Sequence, residues 1–122
     1  MKVYAYEGCS TCKKALAYLK STGRDHTVLP IREKPPTKAE LRAMLKAYQG
    51  KLGKLFNTSG QDYRALKLGA KLPKMSEAQA LELLSKNGNL VKRPFVLVGN
   101  TGMVGFKMDE WLDKGIRPLP KA

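Results

Sequence analysis

The stretch Lys2-Val3-Tyr4-Ala5-Tyr6-Glu7-Gly8-Cys9-Ser10-Thr11-Cys12-Lys13-Lys14-Ala15-Leu16 decides how this 122-residue chain is read. Residues 2–6 alternate, with Val3 and Ala5 on one side, which is the period of a short strand. Cys12, Ala15, Leu16 and Leu19 then fall at i, i+3, i+4 and i+7, a single apolar helical stripe. Gly23 follows at the place where a helix commonly ends in left-handed backbone. Strand, small polar turn and helix in that order put Cys9 at or just before a helix N-terminus, with Cys12 about one turn inside.

Cys9 and Cys12 are the chain's two cysteines. A disulfide spanning two residues would constrain the unfolded chain little, and a reducing cytosol disfavours it. A structural zinc site needs about four ligands, and His26 is the one histidine that could join the pair, so no metal is expected unless carboxylates complete the set. What stays open is a redox C-x-x-C or two unrelated thiols. Position favours the first. Unpaired N–H groups and the positive end of the helix dipole favour an anion beside Cys9, and Lys13 and Lys14 are expected to add positive potential. Such surroundings lower a thiol's pKa, and the thiolate is the form that attacks a disulfide. Cys12, facing the core one turn on, is placed to resolve the mixed disulfide.

The remaining composition narrows the classes. With 43% apolar and 27% charged residues, the chain can bury a core, and its length suits a single domain over residues 1–122. No apolar run approaches a membrane span, and the N-terminus turns polar too early for a secretory segment, so a cytoplasmic setting is expected. The net charge of +13 is spread: residues 1–61 hold 12 basic and 4 acidic groups, residues 62–122 hold 11 and 6. A surplus without a basic stripe or interleaved aromatics argues against sequence-specific nucleic-acid binding. It suits a solvated surface or an anionic partner.

Further elements follow from pattern. His26–Ile31 reads as a strand, with Pro30 marking a sheet edge. Thr37-Lys38-Ala39-Glu40 is a capping box opening a helix with Leu41, Met44, Leu45 and Tyr48 inward. Short helical pieces are expected over 51–56 and 61–66. A capped helix runs from Ser76 to about Lys86, with Ala80, Leu83 and Leu84 inward. Phe95–Val98 reads as a buried strand, Asn100-Thr101-Gly102 as a turn, Met103–Phe106 as a returning strand, and 108–114 as a last helix. This order implies an α/β fold, a small mixed sheet with helices on its faces.

Strand–Cys9-x-x-Cys12–helix, followed by Arg93-Pro94 directly before a strand, resembles a thioredoxin fold. More narrowly, Phe56-Asn57-Thr58-Ser59-Gly60, Lys92-Arg93-Pro94 and Val104-Gly105-Phe106-Lys107 resemble the arsenate reductase-related family of ArsC reductases, YffB-like proteins and Spx regulators. The resemblance implies a thioredoxin-like sheet with an inserted helical subdomain at about 37–90, and a cis peptide before Pro94, which lies against the reactive cysteine. It assigns the nucleophile to Cys9. Of three arginines that hold the oxyanion in the reductases, one falls on Arg93, while the others fall on Asn57 and Lys107. Neither reproduces a guanidinium fork, so efficient arsenate reduction is not expected.

The resemblance leaves two functions. One is a thiol–disulfide oxidoreductase with Cys9 attacking and Cys12 resolving. It would bind no cofactor, use glutathione as reductant, and have glutaredoxin or thioredoxin as partners. Arg93, Lys107, Asn57 and Pro94 would hold an anionic substrate. The other is an Spx-like redox regulator that binds RNA polymerase. The end of the sequence soon after 114–118, without the charged extension of Spx proteins, favours the first. Asn57 also reads as a turn residue and Lys107 as a solvated lysine. Tyr63 and Arg64 are candidates for lining the cleft, Trp111 and Phe106 belong to the core, and His26 lies away from the motif.

Overall fold

The computed structural model describes residues 1–120. Four strands, β1 (Lys2–Ala5), β2 (Thr27–Pro30), β3 (Phe95–Val98) and β4 (Thr101–Val104), form one sheet in the order β2-β1-β3-β4. β1 and β2 are parallel, while β1 with β3 and β3 with β4 are antiparallel. Among the described residues six α-helices accompany them: α1 (Ser10–Thr22), α2 (Lys38–Ala47), α3 (Gln61–Ala65), α4 (Leu68–Lys71), α5 (Glu77–Lys86) and α6 (Met108–Asp113). The expected α/β class, with a mixed sheet and helices between β2 and β3, is what the chain adopts.

The strand alternation sorts side chains to two faces. Val3, Ala5, Val96 and Met103 meet Cys12, Ala15 and Leu19 of α1, Trp111 of α6 and Ile116. Tyr4, Phe95 and Val104 meet Leu41, Met44 and Leu45 of α2 and Ala80, Leu81 and Leu84 of α5, with Leu55, Phe56, Leu68, Leu90 and Val91. Both capping boxes form, at Thr37/Glu40 and Ser76/Gln79, and Gly23 closes α1 at φ +75°. β2 is an edge strand, as Pro30 implied.

Three expectations are corrected. On α5 the second inward leucine is Leu81, with Leu83 half-buried at the rim of the same core. The hairpin turns at Gly99-Asn100, where Gly99 takes φ +57°, and the returning strand is Thr101–Val104. Gly102 is therefore inside β4, where a Cβ would stand 2.6 Å from both Met44 Cε and Val96 O. Its glycine marks the close approach of α2 to the sheet, and the turn reading mistook one use of glycine for another. Finally α4, the 3-10 turn 72–74 after it and the 3-10 turn Gly88–Leu90 were unforeseen, being too short to show a period.

Candidate active site

Sheet topology gathers the site at one end. Parallel β1 and β2 present their carboxyl ends together, so the turn after β1 and the residues after β2 are neighbours. β3 runs antiparallel to β1, with Phe95 opposite Tyr4, and so begins at that same end. Arg93-Pro94, 84 positions beyond Cys9 (93 − 9), is thus delivered beside the cysteine turn. The Arg93–Pro94 peptide is cis, and Pro94 is buried, its carbonyl accepting the Gly105 N–H at 2.9 Å.

Cys9 is the N-cap residue of α1. Its own N–H donates to Tyr6 O at 3.1 Å, and its Sγ accepts the Cys12 N–H at 3.3 Å. Burial is the largest single influence and opposes a thiolate. Against it act a hydrogen bond from the Cys12 thiol, the Cys12 N–H, the Arg93 charge and the Thr11 N–H, and together they hold the Cys9 thiol below its ordinary value. Cys12 has no exposed surface. Burial first, then its hydrogen bond to Cys9 and the Cys9 charge, push its thiol up to about 12. One thiol favours ionisation and its neighbour resists it. The guanidinium acting on Cys9 is that of Arg93, whereas Lys13 and Lys14 lie on the exposed face of α1.

Arg93 sits with Cζ 5.2 Å from the centroid of the Tyr6 ring, and Arg32 holds its own Cζ 4.6 Å from the same ring. A cavity of about 240 Å³ opens there, lined by Tyr6, Arg32, Asn57, Gly60, Gln61, Asp62, Asn89 and Arg93. Arg93 Nη1 is buried without a hydrogen-bond partner. Leaving a buried donor unpaired costs roughly 1–3 kcal/mol, and more when it is charged. Asn57 donates from its N–H to Leu90 O at 2.7 Å and from Nδ2 to Asn89 O at 3.4 Å. Its carbonyl accepts the Gly60 N–H at 3.0 Å, so Asn57 holds this turn and also lines the cavity.

The expected site residues thus divide. Cys9, Cys12 and Arg93 act on one another, while Arg93 and Asn57 share the cavity, and Pro94 adjoins it in sequence. Lys107 is exposed, immediately before α6, and is not among the cavity's lining residues. From α3 the cavity takes Gln61 and Asp62; Tyr63 turns away to pack edge-on against Phe56 at 6.1 Å, and Arg64 is exposed. Trp111 is fully buried and donates to Gly105 O at 3.1 Å, with Phe106 against it at 4.8 Å. A broader open groove of about 1030 Å³ between α1 and β2, lined among others by Leu16, Val28 and Pro30, contains none of the expected site side chains. Among the described residues no three His, Cys, Asp or Glu side chains converge as a metal-binding group.

Sequence reasoning missed Tyr6, Arg32, Gln61, Asp62 and Asn89. For Arg32 a signal existed: it comes two residues after the strand parallel to β1 and so shares the end that carries Cys9.

A mixed four-stranded sheet with a two-cysteine turn capping its first helix, and a cis-proline peptide beside it, defines a thioredoxin-like protein. Within that class the family is specific. The ArsC family model matches residues 4–114, and the chain belongs to the ArsC family. It is 44% identical over 108 residues to the uncharacterized protein YusI of Bacillus subtilis, covering 88% of this chain and 92% of that one. An arsenate reductase of Rhizobium meliloti is 30% identical over 78% of this chain and 66% of its own length. The global transcriptional regulator Spx of Listeria monocytogenes is 25% identical over 88% and 81%. A solved structure of an ArsC family related protein from Bacteroides fragilis superposes with a TM-score of 0.86 at 41% identity, covering 92% of this chain and 94% of that one.

Proposed function

We propose that the chain is a cytoplasmic thiol–disulfide oxidoreductase in which Cys9 attacks and Cys12 resolves. The observation that supports this best is the contact between two unequal thiols: Cys9 at the helix N-terminus with Arg93 beside it, and Cys12 sealed beneath. The Cys9 thiolate attacks one sulfur of a disulfide, forming a mixed disulfide and expelling the other half as a thiolate that takes a proton. Cys12 then gives up its proton, attacks the Cys9 sulfur and releases the second half as thiol. The net change is one disulfide reduced to two thiols and one Cys9–Cys12 disulfide formed. Two equivalents of glutathione, or a dithiol protein of the glutaredoxin or thioredoxin class, restore the dithiol. No bound cofactor enters this scheme.

Arsenate is a poor fit. Asn57 offers an amide where a guanidinium fork would hold the oxyanion, and Lys107 is a point charge outside the cavity. A hydrogen bond to a charged group contributes roughly 1.5–3 kcal/mol, so each missing fork lowers the arsenate rate about tenfold or more.

The test is trapping. With Cys12→Ser, glutathione disulfide should leave a stable adduct of one glutathione on Cys9, read by mass spectrometry, while the parent protein goes on to the internal disulfide. Alkylation by iodoacetamide should rise with pH through a Cys9 midpoint below the free-thiol value near 8.5, because the native site favours the thiolate. Cys12 should resist until far more alkaline pH. Cys12 reacting first would reverse the roles and sink the scheme. The Spx relatives support a second reading, in which the same pair is a regulatory switch and the output is contact with RNA polymerase. Specific retention of polymerase subunits by the oxidised chain, with no turnover of disulfides, would favour it.

A further inference from the structure

We infer that the polar cavity beside Cys9 is a headgroup subsite for the α-amino-carboxylate end of a small disulfide, with Arg32 and Arg93 on the carboxylate and Asp62 on the ammonium group. The inference rests on the oxidoreductase reading and names the substrate class of that site.

Size comes first. Whole small-molecule ligands fill about 300–1,000 Å³, and a cavity of about 240 Å³ holds an amino-acid headgroup while the rest of the molecule extends outward. Charge comes second. Ion pairs among the described residues join Lys2 to Glu40, and Lys38 and Lys86 to Glu82; neither arginine has a carboxylate partner, and neither does Asp62. Arg93 Nη1 is a buried donor with nothing to donate to. Both guanidinium groups lie within about 5 Å of the one Tyr6 ring, which draws two positive charges together and leaves them without an anion.

Asp62 is what distinguishes a zwitterion from a bare oxyanion. A carboxylate in the lining repels an oxyanion and attracts an ammonium group, and Asn57 and Asn89 add uncharged amides to the same lining. Arg32 is held in place from below: a Cβ on Gly88 would stand 1.8 Å from Ile31 O and 2.9 Å from Arg32 Cα, so the turn carrying Asn89 is seated directly under the backbone of Arg32. The subsite also points the ligand's sulfur the right way. Tyr6 lines the cavity and accepts the Cys9 N–H, and Arg93 lines it while its charge acts on the Cys9 thiol.

Two measurements test this. The first is an NMR titration of the reduced protein with S-methylcysteine, an unreactive thioether, which should shift the amides of Tyr6, Asn57 and Asn89 saturably. Arg32→Gln should weaken binding at least tenfold, and Asp62→Asn should weaken S-methylcysteine more than its N-acetyl derivative. Arg32 is exposed, so its substitution leaves the core untouched. The second is single-turnover oxidation by cystine against hydroxyethyl disulfide, where Arg32→Gln should lower the ratio of the two rates at least tenfold. Absence of S-methylcysteine binding, or an unchanged rate ratio, overturns the subsite. A protein that reduces hydroxyethyl disulfide yet fails both tests loses the subsite and keeps the oxidoreductase reading. One that binds S-methylcysteine through Arg32 but reduces neither disulfide keeps the subsite and loses that reading.

Discussion

The two faces of the sheet are built differently. Against the α2 and α5 side lie fifteen buried residues, seven of them leucines, contributed mostly by the segment between β2 and β3. Against the α1 and α6 side lie nine of the described residues, among them Ala5, Ala15 and the thiol of Cys12, with Trp111 as the one aromatic member. The first face carries most of the apolar burial and hence most of the stabilisation. The second is thin, and its small residues leave room for a cysteine beside the strands. The cavity lies at the carboxyl end of β1, drawing Asn57, Asp62 and Asn89 from the helical segment, and its Arg93 acts on a cysteine of the opposite layer. Anchoring and chemistry are thereby assigned to different layers, and substitutions should separate them.

The largest effect should come from the leucine-rich face. Leu84→Ala removes a fully buried side chain and should cost about 2–5 kcal/mol in denaturant unfolding. The pH midpoint of Cys9 alkylation should stay where it is. A shifted midpoint would mean that the two layers are coupled and that anchoring and chemistry are not separate.

Next in size is Arg93→Ala. Loss of its charge should raise the Cys9 alkylation midpoint and slow attack on glutathione disulfide by about 10- to 100-fold, from roughly 1.5–3 kcal/mol of charge-assisted contact. Hydroxyethyl disulfide should be slowed less, because only the thiolate effect applies to it. Equal slowing of both, together with a lower unfolding midpoint, would move Arg93 into the structural layer.

The smallest effect belongs to Lys107→Ala. As an exposed side chain without a hydrogen bond, away from the cavity lining, it should change stability by no more than about 0.5 kcal/mol and disulfide reduction by less than about twofold. A tenfold loss would place Lys107 in the site after all and extend it toward α6.

What could be read from sequence follows the same division. Long periodic elements were legible: the Cys12–Leu19 stripe, the two capping boxes and the Pro30 edge each state a local rule that the fold obeys. Cys9 and Cys12 were legible because a helix start has its own chemistry. Arg93 was legible through family resemblance alone, since nothing local says that residue 93 meets residue 9. Tyr6, Asp62 and Asn89 stayed hidden, and the place of Arg32 after β2 went unread, because the cavity is made by strand order, and strand order is a long-range property. Gly102 and Gly88 show the limit most plainly. Each is a glycine because another backbone passes within 3 Å of where a Cβ would be, and a single sequence does not name that neighbour.

The sealing of Cys12 has a kinetic corollary. With the second sulfur closed to solvent, an oxidised pair presents only the Cys9 sulfur to an incoming thiol. Donor and acceptor must then use one entrance in turn, and neither can be present while the other reacts. Turnover becomes an alternation between two forms of the protein with no ternary complex, the pattern of double displacement. Each reactant in excess occupies the form meant for the other, so the pace of the cycle is set by the balance between the two pools as much as by either concentration alone.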